Sequence, residues 1–440
     1  MADAASLEGS WFGALDLGPF KLRLVLHLAK GADGWRGTVD SPDQGQLGIP
    51  LEAVAVDGRH LTATSEKLHG GFDGELGGDR LDGTWQQGPS RIPLVLTRGE
   101  APPIDRPQEP QPPYPYSVAA VRYSNVRDDV TLAGTLTEPH GAGPFPAVLL
   151  IPGSGQHDRD CTLFGHKPFK LWADVLTRRG FAVLRVDDRG AGESSGDFAR
   201  ATTADLARDV AAGIAFLETR PEIDPTRIGL MGHSEGGLIA PMVSAESPDV
   251  AFLVLLAAPG FPGDAIIVQQ VGLLLRASGG APEKVDEAME LQRRVLAIAK
   301  GPSDDATARR ELEALLAPPG VDAPTRAQAE GQIRALLSPW YRFFLRTDPR
   351  DYLARVRVPV LAINGDKDVQ VEAAANLRAI RDTLESHGER HVTTVVLPGL
   401  NHLLQTANTG LPQEYGTITE TIAPAALELV ADWLARTTAR

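Results

Sequence analysis

From Tyr123 onward, short apolar segments alternate with stretches of helical periodicity, and this alternation limits the possible folds more than any other feature of the sequence. Apolar segments are found at residues 130–136, 147–151, 182–186, 228–231, 251–256, 358–363 and 392–397. Helical stretches fall near residues 168–179, 203–219, 236–245, 371–386 and 423–436. Such alternation is typical of a mostly parallel sheet flanked by crossover helices. The sequence therefore predicts an α/β fold for this part of the chain.

The alternation is interrupted once, between residues 262 and 350. This region contains no plausible strand pattern, but it has helical patterns at residues 282–300, 304–317 and 323–337. We interpret it as a helical cap inserted into the α/β domain. The α/β domain then comprises residues 117–261 and 351–440.

The first 98 residues have a different pattern, with eight short alternating segments, one of them at 51–56, separated by Gly, Asp and Pro. A spacing of about ten residues predicts an all-β sandwich or small barrel. Its aromatic residues are interpreted as core, with a carbohydrate-binding face as the alternative: Trp11, Phe12, Trp35, Phe72 and Trp85. Residues 99–116 are rich in proline, which predicts a stiff, extended linker.

Overall composition limits the classes of partner. The formal net charge of −14 argues against a nucleic-acid partner, because phosphate binding needs a basic face. Cys161 is the only cysteine, so an intramolecular disulfide and a Cys-rich metal site are excluded. No run of eighteen apolar residues exists and the start lacks a signal-peptide pattern, so we expect a soluble chain without a membrane partner. Cytoplasmic localisation and a mature secreted or periplasmic form both stay open.

The pentapeptide Gly232-His-Ser234-Glu-Gly236 follows the apolar segment 228–231 and precedes a helical stretch. A G-x-S-x-G pattern between a strand and a helix is typical of a nucleophile elbow, in which a strained turn exposes the serine hydroxyl. Small residues are needed two positions before and after the serine, because strand and helix approach closely there. This context predicts that Ser234 is a catalytic nucleophile.

A serine nucleophile needs a base to take its proton and an acid to orient that base. Asp366 and Asp368 follow the apolar segment 358–363, and His402 follows the segment 392–397. Parallel strands deliver these loops to the same edge of the sheet as Ser234. We therefore predict His402 as the base and prefer Asp368 as the acid, since Asp366 sits beside Gly365 and is explained by a tight turn.

An oxyanion hole is expected at two places. Unpaired backbone N–H groups at the start of a helix favour developing negative charge, so the N–H of Glu235 is predicted as one donor. The glycine-rich loop after residues 147–151 is expected to supply the other, from Gly155 or Gln156. Three charged residues in the same loop are interpreted as a salt-bridged brace: Asp158, Arg159 and Asp160.

Five segments taken together resemble the α/β-hydrolase superfamily, in particular bacterial esterases of the serine-aminopeptidase-like or dienelactone-hydrolase-like branch. They are PGSGQHDRD (152–160), VDDRGAGESSG (186–196), GHSEGG (232–237), INGDKDVQV (363–371) and PGLNH (398–402). The resemblance covers about residues 118–440 and implies a triad of Ser234, Asp368 and His402. Some hydrolases of this kind carry a β-rich module ahead of the catalytic domain, which the first hundred residues resemble.

These features predict a serine carboxylesterase that hydrolyses short-chain acyl or aryl esters through an acyl-enzyme, with a small-molecule ester as substrate and without a metal or cofactor. Trp340, Tyr341 and Phe344 are predicted to line the acyl or aryl pocket, with packing of the cap on the main domain as an equal alternative. A peptidase, an amidase or an acyltransferase would use the same triad. The remaining alternatives are a non-catalytic binding protein on a hydrolase scaffold and self-association of the β module into a homo-oligomer.

Overall fold

The computed structural model describes residues 7–17, 21–44, 46–88, 90–102 and 105–439. The predicted β module and linker therefore include a few positions outside the described residues. The chain divides into two compact units. The first runs to Pro107 and also includes Leu163–His166 and Pro412–Thr419. The second consists of Gln108–Thr162, Lys167–Leu411 and the segment that begins at Glu420.

The first unit is built on an antiparallel sheet in the order β4-β3-β2-β1-β9-β8-β7-β6-β5. The strands are β1 Gly9–Asp16, β2 Lys21–Gly31, β3 Gly34–Ser41, β4 Gln46–Leu51, β5 Ala53–Asp57, β6 His60–Ser65, β7 Gly70–Leu76, β8 Arg80–Gln87 and β9 Ser90–Arg98. Strand β3 contacts β5 and β4 contacts β6, so the two ends of the sheet come together as in a barrel. The segment predicted at 51–56 is divided at Glu52 between two strands.

Large aromatic side chains fill the core enclosed by this barrel-like sheet. Trp11, Phe72 and Trp85 are almost completely buried in one apolar cluster with leucines from seven of the strands. The indole N–H of Trp11 donates to the Leu7 carbonyl (2.9 Å), so its one polar atom is satisfied inside the core. The core interpretation is confirmed for these three aromatics, since a carbohydrate-binding face needs exposed rings.

Arg106 ties distant segments of the first unit together. Its guanidinium is buried and donates to the backbone carbonyls of Phe164 (2.9 Å), Gly416 (2.8 Å) and Ile418 (2.7 Å). These carbonyls belong to the two short segments that join the unit from later in the chain. A buried guanidinium requires such partners, because leaving it without acceptors is costly.

The second unit contains an eight-stranded sheet in the order β10-β11-β13-β12-β14-β15-β16-β17. The strands are β10 Tyr116–Asn125, β11 Val130–Pro139, β12 Phe145–Ile151, β13 Ala182–Val186, β14 Ile223–His233, β15 Phe252–Leu256, β16 Val360–Gly365 and β17 Val392–Leu397. The pairs β10–β11 and β11–β13 are antiparallel and all the others are parallel. Apolar clusters cover both faces of the sheet, which confirms the predicted α/β fold.

Eleven α-helices lie among the residues that the structure describes. They are α1 Pro168–Arg178, α2 Thr203–Glu218, α3 Gly236–Ser244, α4 Gly263–Ala277, α5 Pro282–Lys300, α6 Asp305–Leu316, α7 Ala323–Leu336, α8 Pro339–Arg346, α9 Arg350–Leu353, α10 Ala373–Ser386 and α11 Pro424–Thr437. Helices α4 to α9 form the helical insertion between β15 and β16. None of the described helices combines the length and apolar character that crossing a membrane requires.

Candidate active site

Ser234 lies in a tight turn between β14, which ends at His233, and α3, which begins at Gly236. Its φ of +54° is in the left-handed region, which costs a residue other than glycine roughly 1–2 kcal/mol. Two backbone hydrogen bonds hold the turn: Ser234 N–H donates to the Leu256 carbonyl (2.8 Å), and the Ser234 carbonyl accepts from Gly237 N–H (2.9 Å). Strain at one residue, held by its surroundings, is typical of functional positions.

The two glycines of the pentapeptide are explained by close backbone contacts. A Cβ atom on Gly232 would lie 2.0 Å from the Gly236 carbonyl oxygen, and one on Gly236 would lie 2.2 Å from the Ile151 carbonyl oxygen. Strand β14, helix α3 and the end of β12 therefore meet at a point where no side chain fits. The steric reason predicted from the sequence is thus present in the structure.

The structure brings His402 and Asp368 together. His402 Nδ1–H donates to Asp368 Oδ2 at 2.7 Å, and both side chains are buried. The other carboxylate oxygen, Asp368 Oδ1, accepts from the backbone N–H groups of Gln370 (2.7 Å) and Val371 (2.9 Å). Because Nδ1 carries the proton in this pair, Nε2 of His402 is left as the basic nitrogen. Asp366, in contrast, is exposed and accepts from the backbone N–H of a glycine in the next loop.

His233, which precedes Ser234, contacts the predicted base directly. Its Nε2–H donates to the backbone carbonyl of His402 (2.9 Å), and the two imidazole rings lie 4.9 Å apart. Burial and the neighbouring His402 lower the pKa of His233 to about 3, so the ring is neutral at physiological pH. Sequence reasoning assigned no role to His233, since only the folded structure shows that its ring reaches a loop 169 residues later.

The loop after β12 contacts the nucleophile through Gly153. A Cβ atom placed there would lie 3.1 Å from Ser234 Cβ, so the loop backbone passes close to the serine. Gly155 has a φ of +105°, and the Gln156 side chain donates to the Arg189 carbonyl (3.2 Å). The loop thus runs beside Ser234 as an oxyanion loop would, and the choice of Gly155 or Gln156 as donor stays a prediction.

The charged residues of this loop brace it through salt bridges to a neighbouring strand and loop. Arg159 forms a bidentate ion pair with Asp187, with Nη2–Oδ2 at 2.6 Å and Nε–Oδ1 at 3.1 Å. Asp160 pairs with Arg185, and Asp158 accepts from the backbone and hydroxyl of Thr162. The predicted salt-bridged brace is therefore confirmed for Arg159 and Asp160, whose ion-pair partners lie on strand β13 and the loop after it, whereas Asp158 is held by its hydrogen bonds with Thr162.

Asp188, next to this brace, is a carboxyl group with an unusual pKa. Its Oδ2 accepts from the backbone N–H of His157 (2.8 Å). Burial raises the pKa of Asp188 to about 8; the hydrogen bond from His157 lowers it, and the neighbouring carboxylates of Asp209, Glu235 and Asp187 raise it. The carboxyl group therefore holds a proton in the folded chain at pH values where it is ionised in the unfolded chain.

This difference makes a prediction for stability against pH. Between the ordinary pKa of 3.8 and about 8 the folded chain binds more protons at Asp188 than the unfolded chain, so this group's contribution to stability falls as pH rises. Asp188→Asn should thus raise the melting temperature by several degrees at pH 9 and change it little at pH 4. Thermal unfolding at pH 4, 7 and 9 measures this. If the melting temperatures of wild type and variant differed by the same amount at all three pH values, the prediction would be contradicted. The matched control is Asp187→Asn, which breaks the ion pair to Arg159 and should lower the melting temperature at pH 7.

The aromatic residues predicted to line a pocket lie on α8. Trp340 stacks on Phe344, with ring centroids 5.8 Å apart, and Tyr341 meets Trp340 edge to face at 5.4 Å. Phe344 is buried in the main apolar cluster of the sheet, so for this residue the alternative of packing on the main domain applies. The indole N–H of Trp340 donates to the Glu235 carboxylate, beside Ser234. Trp340 and Tyr341 are partly buried and remain candidates for contact with substrate.

The helical insertion also contains an open groove of ≈ 740 Å³ between α4 and α5. Its walls include Val268, Leu273, Met289 and Leu296, and it reaches Glu372 at the start of α10.

Among the residues that the structure describes, no group of three or more His, Cys, Asp or Glu side chains is arranged to hold a metal ion.

Comparison with known proteins assigns most of the second unit to a known family. The model of the alpha/beta hydrolase family matches residues 148–410, which is more than half of the chain. Among curated proteins, the chain is 28% identical over 277 residues to esterase EstD of Thermotoga maritima, covering 62% of this chain and 58% of that protein. It is 30% identical over 138 residues to human dipeptidyl peptidase 8, covering 29% of this chain and 15% of that protein.

The chain therefore spans less than two thirds of the length of these relatives. Among solved structures, the Pyrococcus furiosus esterase Pf2001 is similar with a TM-score of 0.45 and 15% sequence identity. That similarity covers 73% of this chain and 90% of the other.

Proposed function

Because the chain belongs to the alpha/beta hydrolase family, we propose that it is a serine carboxylesterase in which Ser234 is the nucleophile, His402 the base and Asp368 the acid. One observation carries the proposal. A buried His402–Asp368 pair, with Nδ1 and Oδ2 2.7 Å apart, follows strands of the same parallel sheet that presents Ser234 in its strained turn. The similarity to an esterase of Thermotoga maritima supports ester hydrolysis as the reaction.

The chemistry follows from the protonation state of His402. With its Nδ1–H bound to Asp368, Nε2 accepts the proton of the Ser234 hydroxyl as the serine oxygen attacks the ester carbonyl. The imidazolium then gives that proton to the departing alcohol, which leaves an acyl-enzyme. Water, deprotonated by the same nitrogen, attacks the acyl group and releases the acid and the free serine.

The negative charge on the carbonyl oxygen needs donors that are already in place. The backbone N–H of Glu235, at the start of α3, and an N–H of the Gly153–Gln156 loop are proposed for this role. Removing one such donor typically costs about 100- to 1,000-fold in kcat. The helical insertion is proposed to act as a cap, whose partly buried Trp340 and Tyr341 limit the size of the acyl or aryl group.

A substrate panel tests the reaction and its specificity. We expect hydrolysis of p-nitrophenyl acetate and butyrate, slower turnover of amino-acid p-nitroanilides, and little hydrolysis of long-chain triglyceride emulsions, because the cap restricts access. Faster cleavage of the anilides would favour a peptidase instead. Product that forms only when an acceptor alcohol is supplied would favour an acyltransferase. Equal rates on long-chain emulsions and short esters would contradict the role given to the cap.

A further inference from the structure

The side chain of Glu235 is buried directly beside the nucleophile. Only 2% of its surface is exposed, although it directly follows Ser234 and its backbone N–H is proposed to face the substrate oxyanion. Burial of a carboxylate is costly unless hydrogen bonds compensate it. Burial raises the pKa of Glu235, and hydrogen bonds from Thr203, Trp340 and Ser154 act in the opposite direction.

These three donors come from three separate parts of the second unit. Thr203 Oγ1–H, in the first turn of α2, donates to Glu235 Oε1 at 2.7 Å. The indole N–H of Trp340, on α8 of the helical insertion, lies 2.8 Å from Oε1 and 3.1 Å from Oε2. The side chain of Ser154 belongs to the loop that passes beside the nucleophile. One carboxylate therefore joins the serine turn to the helical insertion, the loop after β12 and α2.

The donors Trp340 and Thr203 have different surroundings. Trp340 is held by stacking on Phe344, so its indole N–H has a fixed direction and one hydrogen to give. Thr203 belongs to a helix that has its own cap, since Thr202 and Asp205 form a capping box there. The Trp340 bond thus connects the serine turn to the insertion, whereas the Thr203 bond connects it to a helix of the main domain.

We propose that Glu235 is a positioning residue that couples the helical insertion to the nucleophile turn through its hydrogen bond with Trp340. The inference rests on the proposed function in that Ser234 is the attacking group. When Trp340 holds the carboxylate, the backbone N–H of Glu235 and the neighbouring loop with Ser154 keep the positions that stabilise the oxyanion. Loss of the Trp340 bond should lower kcat more than it changes KM, because the interaction acts on the transition state.

The test compares Trp340→Phe with Thr203→Val. The first removes the indole N–H with part of the indole ring and keeps an aromatic ring on Phe344, and the second removes the Thr203 hydroxyl without touching the insertion. With p-nitrophenyl butyrate, Trp340→Phe should lower kcat about 10- to 100-fold with little change in KM, and Thr203→Val should lower it less than about threefold. Equal losses of kcat in the two variants would overturn the proposal, because either hydrogen bond to Glu235 would then matter to the same degree. Unchanged activity of Trp340→Phe would also overturn it.

A double-mutant cycle with Glu235→Gln gives an independent reading. If the two residues act through one bond, the double variant should be no slower than the slower single variant. Losses that multiply would overturn the coupling. Should Glu235→Gln fail to fold, as judged by thermal unfolding, the comparison of Trp340→Phe with Thr203→Val still decides the question.

The rate of covalent labelling by a fluorophosphonate separates this inference from the proposed function. If wild type labels at Ser234 but hydrolyses no ester in the panel, carboxylesterase activity fails while slower labelling of Trp340→Phe than of Thr203→Val still supports the coupling. Equal labelling rates overturn the coupling even if ester hydrolysis is found. If wild type neither labels nor hydrolyses esters, both proposals are overturned.

Discussion

Replacing Ser234 with alanine should reduce p-nitrophenyl ester hydrolysis by roughly 10⁴- to 10⁶-fold, because the attacking oxygen is lost while the remaining groups have nothing to activate. Fluorophosphonate labelling should disappear in the same variant. The matched control is Ser244→Ala at the other end of α3, which should keep wild-type activity. Substantial residual hydrolysis by Ser234→Ala would show that another group attacks the ester.

The backbone of Ser234 adds a second, independent measurement. Because its φ is +54°, glycine fits this position better than any residue with a Cβ atom. Ser234→Gly should therefore be as inactive as Ser234→Ala and yet more stable than it by about 1 kcal/mol in the free energy of unfolding. Chemical denaturation of the two variants measures this difference. A less stable glycine variant would mean that the turn carries no strain.

Replacing Asp368 with asparagine should lower kcat by about 10⁴-fold, since an amide in this place favours the wrong tautomer of the neighbouring histidine. The Asp368 carboxylate accepts a hydrogen bond from Nδ1–H of His402 and two further hydrogen bonds from backbone N–H groups, which fix its position. The amide can present an N–H to Nδ1, which leaves the proton on Nε2 and removes the base.

The chain offers a close control at Asp366, two residues away. Its carboxylate is exposed and accepts from the backbone N–H of Gly399 (2.6 Å), so Asp366→Asn should change kcat by less than about threefold. Measuring kcat and KM of both variants with p-nitrophenyl butyrate decides between the two acids. A larger loss in Asp366→Asn than in Asp368→Asn would reverse their roles.

Much of the fold and the candidate site could be predicted because the signals are local. An apolar strand, a G-x-S-x-G turn and a following helix are adjacent in sequence, so the elbow at Ser234 is readable from about twenty residues. The placement of Asp368 and His402 needed only one further rule, that parallel strands end at the same edge of a sheet. The steric need for Gly232 and Gly236 follows from the same local geometry.

Features that depend on contacts between distant segments could not be predicted. No sequence pattern indicates that the indole of Trp340 donates to Glu235, 105 residues earlier. Likewise, none indicates that Arg159 forms its ion pair with Asp187 and not with the aspartates on either side of it. Strand β10 is largely exposed along its length and has only one short apolar run, at residues 118–121, so its pattern did not mark it as part of the main sheet. In each case the contact depends on how distant segments pack together, and the periodicity of a single segment carries no information about that packing.

The discontinuity of the first unit has a consequence for synthesis on the ribosome. Arg106 needs the carbonyl of Ile418, which is added 312 residues later. At ordinary rates of translation this interval lasts roughly 15 to 60 seconds. For most of that time the N-terminal sheet exists without the last segment that completes it, Pro412–Thr419, and the Arg106 guanidinium lacks the acceptors on Gly416 and Ile418. The part of the chain that is made first is therefore among the last to be finished.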